Sequence, residues 1–545
     1  VAGQGALDDP VICRGVLQAP EDGAIHLRSG LAVEGGQVDL GDGVLTVEDA
    51  TSGVTGGMLL AGSAYVGRTS AGRFRQVSST CAFGGDLVVG DADGVEGTYE
   101  LNGGTLTVAG WEYIGRNGGT GRFVHLRGDH VTGYFYLPGD GGLGGSYEMQ
   151  QGTVKANELS IGRSGRFVQA GGLVDVTNLL SVNGQPDAEA VYELRNGRIG
   201  CMGLYVAQSG QGRFIQTGGE VLARTWALNV AYGNGTRGTY ELRAGQITAP
   251  DVFVGYYGDG TFVQTGGVVT AAQAVQLGYY RGRGTYELRD GQVNTSSAQV
   301  GLATEGVFLQ GGGRLDVDGV LFLGYEHNGI GTYTISDGAL RAAELKVGRE
   351  TTYGPSTGTF EIAGPDADVR ISDAIRLGRN SRVLAVPGAT IHLAGLTFEN
   401  RSTDPAALAG LENLTLACVG SSTAFALLEI AGEDRAIGPG CMERNFALGT
   451  LDVTSRSQVR LVDLFDNQPG WDGGEALYVR QLILGPGANL DLNGLNLYYL
   501  DFVDQGGQVL LNGGALMQVP EPATLSLLAL AGAALLRRRR RRRPA

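Results

Sequence analysis

Lysine is almost missing from this 545-residue chain: Lys155 and Lys346 are its two copies, and arginine supplies the rest of the positive charge. Acidic residues outnumber basic ones 56 to 41, giving a formal net charge of −15. The terminal run Arg537–Arg543 contributes +7 to that balance, so the rest of the chain carries −22. An acidic body does not attract phosphates, which excludes nucleic acid as a partner. It suits solubility outside the cell and loose cation binding. No cofactor is expected beyond loosely bound Ca²⁺.

Cysteine and histidine are equally sparse, at five each. Cys13, Cys81, Cys201, Cys418 and Cys441 are scattered, without the CxxC or Cys/His spacing of a metal site. Cys418 and Cys441 are close enough in sequence to pair across a local loop in an oxidising compartment, which the sequence leaves open. His125 stands two residues after Phe123 and is read as an inward structural residue. His26, His130, His327 and His392 are isolated, with no recognisable nucleophile partner. No GxSxG, P-loop or HExxH motif occurs. Gly115–Gly121 (GRNGGTG) mimics a phosphate loop but lacks its Lys-Ser/Thr and following helix. No charged stretch leading into an apolar one stands near Val1, so an export signal is expected ahead of it.

Glycine is abundant, at 94 residues, without a collagen period. It punctuates a repeat that shows most clearly over Gly238–Leu288. An aromatic residue opens each unit at Phe74, Tyr99, Phe123, Tyr147, Phe167, Tyr192, Phe214, Tyr240, Phe262, Tyr286, Phe308, Tyr333 and Phe360, about 24 residues apart. That period signals a repeat architecture. The apolar runs of three to five residues between glycines are strands. A unit this small cannot close a core alone but can when stacked on its neighbours. The expected fold is therefore all-β, a parallel β-helix with coils about 4.8 Å apart and about 60 Å long over the aromatic-bearing coils.

Tyr-Glu-Leu coils alternate with Phe-x-Gln coils. Residues i and i+2 of a strand share a face, so the aromatic points inward with Leu or Gln, and the Gln column is read as an internal hydrogen-bonding device near a corner. Glu100, Glu148, Glu193, Glu241 and Glu287 then point outward, in register with Val168, Ile215, Val263 and Leu309. Placing carboxylates on every second coil keeps them about 10 Å apart, roughly a Debye length. The stripe is read as a solvated face in preference to a cation or sugar site.

Residues 1–61 read as an N-terminal cap and first coils, 62–382 as the repetitive solenoid, and 383–518 as a β-rich region that continues it. Residues 519–545 are a separate terminal segment. Insertions fall at Gly184–Ala190 and Arg349–Thr357, and Pro405–Leu411 is the expected helical turn. A longer loop is expected around Asp466–Gly474. Ala476–Leu500 resembles the closing segments of bacterial surface proteins that precede an anchoring signal.

The terminal segment has three parts: Pro520-Glu521-Pro522, the apolar Ala523–Leu536, and the run beginning Arg537, Arg538, Arg539. As a helix, the apolar part spans about 21 Å, shorter than a bilayer core, though snorkelling arginines would lengthen it. The positive-inside rule puts the arginines in the cytoplasm and the body across the inner membrane. These residues resemble a PEP-CTERM sorting signal. The resemblance implies recognition by an exosortase, transient membrane anchoring through 523–536, and delivery to the surface or extracellular matrix of a Gram-negative-type bacterium. The repeats, such as Gly165–Gly172 (GRFVQAGG) and Gly260–Gly267 (GTFVQTGG), are similar to the β-helix repeats of autotransporter-like adhesins over roughly Gly62–Arg379.

The expected function is that of a secreted or cell-surface structural or adhesive solenoid, non-enzymatic, with extracellular polysaccharide as a partner. The alternative is a carbohydrate-active β-helix enzyme, a lyase or hydrolase, which needs carboxylates clustered on adjacent coils. Its candidates are the Asp-x-Asp pairs Asp91/Asp93 and Asp366/Asp368, both also read as turn residues.

Overall fold

The computed structural model describes residues 2–351, 354–420 and 423–520. Over the described residues the protein is an all-β parallel β-solenoid of about 21 turns with almost no helix. Its chain divides into two compact units, Val1–Ser296 with Gly301–Leu309, and Ser297–Val300 with Gln310–Ala545.

In the first unit each coil contributes three strands, and each strand pairs in parallel with its equivalent one coil later. Gly5–Leu7 pairs with Ile25–Leu27, Val11–Cys13 with Leu31–Glu34, and Val16–Gln18 with Gln37–Asp39. The solenoid thus begins inside the first thirty residues. Further along, strands of two faces merge into long ones, such as Glu96–Ile114 and Asp259–Leu277, which keep pairing as they bend around a corner. The short runs visible in the sequence are segments of these. The sharper corner requires a left-handed backbone. At Gly255 φ is +73° and an added Cβ would lie 2.0 Å from the Arg283 carbonyl oxygen.

The repeat aromatics form one inward column. From Phe74 to Phe308 each is at most 1% exposed, and successive ring centroids lie 4.6–5.3 Å apart. That distance is the inter-strand spacing, so pairing in register forces the rings to stack. Each stacked pair contributes about 0.5–1.5 kcal/mol beyond burial.

The Tyr/Phe alternation has an internal cause. The hydroxyls of Tyr99, Tyr192, Tyr240 and Tyr286 donate to the side-chain oxygens of Gln76, Gln169, Gln216 and Gln264 one coil earlier, at 2.6–2.7 Å. Each glutamine Nε2 in turn donates to two backbone carbonyls. For Gln216 these are Gly219 on its own coil and Gln246 further along. The amide and phenol are both satisfied in a dry core, which a buried polar group requires. A Tyr coil therefore needs a side chain that accepts its hydroxyl on the coil before it, and in these four cases that side chain is Gln.

The outward glutamates do lie in register with Val168, Ile215 and Val263. They do not form an open acidic stripe, because arginines flank them. Glu100 is held by Arg73 and Arg75, Glu193 by Arg166 and Arg195, and Glu241 by Arg213 and Arg243. These arginines depress the three carboxyls below their ordinary range, against the opposing effect of burial.

The second unit repeats the design with fewer aromatics. Tyr333 stacks on Phe360 at 5.8 Å and also donates to Gln310. Val383 then takes the position paired with Phe360. Parallel pairing continues through Thr390–Leu393, Thr415–Cys418, Leu448–Val453, Glu475–Leu484 and Asn496–Asp504. The helical turn expected at Pro405–Leu411 is a 3-10 turn at Ala409–Asn413, later and tighter than expected. Pro405 itself opens a run of non-helical turns.

Two buried carboxyls fasten the loop after Gln458–Val462. Glu429 Oε1 accepts from the amides of Leu464 and Phe465, and Glu475 Oε1 from those of Asn467 and Gln468. Burial raises both to about 7, outweighing the amide bonds that favour ionisation. Cys441, Ala447, Tyr478, Tyr498 and Val519 pack into a cluster near the end of the unit.

Candidate functional site

Besides the inward column, the first unit carries aromatics on its outside. Direct pairing aligns Tyr65, Val88, Tyr113, Tyr136, Ser160, Ser181, Tyr205, Asn229, Phe253 and Gln276 on ten successive coils. Strand alternation points these away from the side on which Ile114, Leu137 and Val254 fill the core, although Val88, Ser181 and Asn229 are themselves buried.

Two aromatic tracts result. Trp111 and Tyr113 lie side by side on one strand with planes 7° apart. Tyr134 and Tyr136 pair with them on the next coil, with Trp111–Tyr134 centroids at 4.9 Å and Tyr113–Tyr136 at 5.9 Å. Trp111 is 43% and Tyr134 37% exposed. Gly139 makes room for this block, since a Cβ there would meet Tyr113 Cδ1 at 2.2 Å. Arg116 lies 5.1 Å from the Tyr113 ring centroid and is paired with Asp91.

The second tract runs along the adjoining corner. Tyr205, Tyr232 and Tyr256 follow one another at 4.8 and 5.0 Å, and Tyr257 stacks on Tyr280 at 5.0 Å. Asn234, Tyr257, Tyr280 and Arg281 line an open cleft of about 460 Å³. Burial, then the neighbouring phenols of Tyr280 and Tyr279, hold the Tyr256 hydroxyl above its ordinary value and so neutral.

Chemically, these tracts offer apolar ring surface bordered by phenol, indole and guanidinium donors. Sugar rings have the complementary character, with C–H-rich faces and a rim of hydroxyls. The sequence signals were the Tyr-Tyr pairs in VGYYGDG and LGYYRGR and the WEY and YFY triplets. The inward repeat aromatics masked them, because one chain position in two is inward and sequence reasoning followed that register.

One carboxylate of each Asp-x-Asp pair is held in an ion pair. Asp91 is held by Arg116 and accepts from Asn117, while Asp93 is exposed. Asp368 is held by Arg370, and Asp366 is exposed. His125 is inward and fully buried, where it replaces the column's glutamine: Nδ1 contacts the Tyr147 hydroxyl at 2.9 Å and Nε2 the Gly128 carbonyl at 3.0 Å. His130, isolated in sequence, is not isolated in space. Its Nδ1 also contacts the Tyr147 hydroxyl, and its Nε2 lies 2.8 Å from Glu112, with both side chains fully buried. Since Nε2 of His125 must donate to a carbonyl, Tyr147 donates to His125 and accepts from His130. One proton is then shared between His130 and Glu112. This network is sealed from solvent and belongs to the core.

All five cysteines are free and buried, Cys418 and Cys441 included. No group of three or more metal-ligating side chains occurs among the described residues. Of the sorting-signal residues, Pro520 is partly buried at the end of the described chain. Glu521, Pro522, Arg537, Arg538 and Arg539 lie outside the described residues, as does the apolar segment 523–536. Among the described residues no helix is long and apolar enough to cross a membrane.

Fold and surface together define a β-solenoid with an aromatic outer face. A PEP-CTERM protein-sorting motif matches residues 518–542, so the chain carries that signal at the end of its β-helix repeats. The motif implies export, processing by an exosortase, and a place in the envelope or on the surface of a Gram-negative bacterium. No curated protein and no solved structure matches the chain.

Proposed function

We propose that this protein is a non-enzymatic, adhesive or structural solenoid that holds extracellular polysaccharide at the cell surface or in the surrounding matrix. The observation that carries the reading is the outward block of Trp111, Tyr113, Tyr134 and Tyr136. A large apolar area left on the outside of an otherwise polar coil serves as a contact surface. Multiple tracts on one chain give avidity, since a polymer engaged at one tract is held at high local concentration near the next.

The test is binding of the full-length protein to neutral and acidic polysaccharides, with and without Ca²⁺, while reaction products are followed. Retention of polymer without new chain ends, weakened by Trp111→Ala with Tyr134→Ala, is the expected result. New reducing ends or unsaturated uronates would replace this reading with that of a lyase or hydrolase. Absence of polymer binding would leave a scaffold for proteins.

A further inference from the structure

The second unit holds a groove whose charge runs against the rest of the chain. It has a volume of about 310 Å³, and its lining includes Phe322, Tyr325, Lys346, Arg349, Arg376 and Arg401. One of the two lysines of the protein is here.

The exposure of the charges matters more than their count. Glu344 pairs with Lys346 and Arg376, and Glu399 with Arg376 and Arg401. These two carboxylates are 13% and 12% exposed, whereas Lys346, Arg376 and Arg401 are 31%, 39% and 47% exposed, and Glu399 also lines the groove. With Arg349, four cations accompany two carboxylates. The ion pairs fix the cations without consuming them: Arg376 engages two of its five N–H groups and Arg401 one through those pairs, so donors remain for a ligand. Arg401 is also braced on Phe465, at 4.2 Å from its ring centroid.

The groove has a direction and an apolar side. Lys346 pairs in register with Arg376, and Arg376 with Glu399, so the charges follow the stacking direction over three coils. Lys346 Nζ lies 5.3 Å from the Phe322 ring centroid, and the Arg349 guanidinium carbon 4.9 Å from that of Tyr325. An isolated phosphate would use the cations but neither the aromatic wall nor the length. An elongated ligand with a repeated negative charge and carbon-bound hydrogens on its rings uses all three.

We infer that the groove formed by Phe322, Tyr325, Lys346, Arg349, Arg376 and Arg401 binds an anionic saccharide, with a uronate carboxylate placed on the cations and its ring against the aromatics. The inference rests on the reading of the protein as a polysaccharide-holding solenoid and names a ligand class for a second, separate surface.

The test measures affinity of the full-length protein for short oligogalacturonate, for its methyl ester, for dextran sulfate and for anionic phospholipid vesicles. Oligogalacturonate should bind more tightly than the ester, and less tightly as salt rises. Lys346→Gln with Arg349→Gln should weaken oligogalacturonate binding by about tenfold or more while leaving neutral polymer unaffected, since these side chains act through charge. Trp111→Ala with Tyr134→Ala should do the reverse, which separates failure of this groove from failure of the aromatic face. Dextran sulfate binding with the same dependence on Lys346 and Arg349 would support an anionic-sugar site and mark sulfate as its charge. Equal affinity for acid and ester, wild-type affinity in the double variant, or capture by vesicles without uronate binding would overturn the inference.

Discussion

The Tyr240 hydroxyl donates to the side-chain oxygen of Gln216 at 2.7 Å, from one coil to the one before it. Gln216→Leu removes that acceptor, leaves the Tyr240 hydroxyl unpaired in the core and takes a second donor from the Gly219 carbonyl, which keeps the Gln246 amide, and one from the Gln246 carbonyl. The expected cost is about 1–3 kcal/mol. Adding Tyr240→Phe should recover part of it, because the hydroxyl is then gone as well. Repeat proteins open locally, so hydrogen exchange across Gln211–Gln216 and Arg237–Leu242 is the measurement.

His125 makes stability fall in acid. Burial, then the neighbouring His130, lowers it from its ordinary 6.5 to about 3. Between those values the unfolded chain binds the proton that the folded chain refuses. The contribution is complete above pH 6.5 and declines by about 1.4 kcal/mol per pH unit as pH falls toward 3. His125→Gln, which installs the side chain used elsewhere in the column, should flatten that slope in unfolding followed between pH 7 and 4.

Glu429 and Glu475 act with the opposite sign. Burial raises each from an ordinary 4.5 to about 7, so the folded chain holds protons that the unfolded chain has released. Their contribution is full below pH 4.5 and is lost as pH rises through 7. Amides of Leu464, Phe465, Asn467 and Gln468 should therefore exchange faster at pH 8 than base catalysis alone accounts for. Glu429→Gln with Glu475→Gln should remove the excess.

Thiol chemistry should report unfolding. Burial pushes Cys81, Cys201 and Cys418 up to about 12, and the thiolate is the reactive form. Alkylation of these three at pH 8 should be slow in the native protein and rapid in denaturant. Fast native labelling of any one would place it outside the core.

Breaking the buried Glu112–His130 pair should be costly in a way that surface pairs are not. Glu112→Ala leaves Nε2 of the buried His130 without its partner, at an expected cost of about 3–5 kcal/mol. Glu241→Ala, which removes the partner of partly exposed arginines, should cost about 1 kcal/mol or less. Thermal unfolding of the two variants side by side checks the contrast.

Much of the fold was legible in the chain. A period near 24, an aromatic at a fixed place in each unit and glycine at the corners leave a stacked parallel coil as the way to bury a small repeat. Gln216 and His125 could be placed inward because strand alternation is strict. Their partners could not be named, since Tyr240 and Tyr147 lie 24 and 22 residues away and meet them only once the register is set. The same limit hid Arg213, which reaches Glu241 from the coil before, whereas Arg243 stands only two residues on.

The sequence by itself determined the strand period, the inward aromatic column and the sorting motif, because each is a local pattern or a fixed repeat. Tertiary structure alone decided which surface is open. Arg213 reaches Glu241 from the coil before and helps cover an apparent acidic stripe, Glu112 and His130 meet inside the core, and Lys346, Arg349, Arg376 and Arg401 gather on one groove. In a solenoid, residues a full turn apart in sequence become neighbours about 5 Å apart in space. Charge and chemistry therefore assemble across coils, where no linear motif records them.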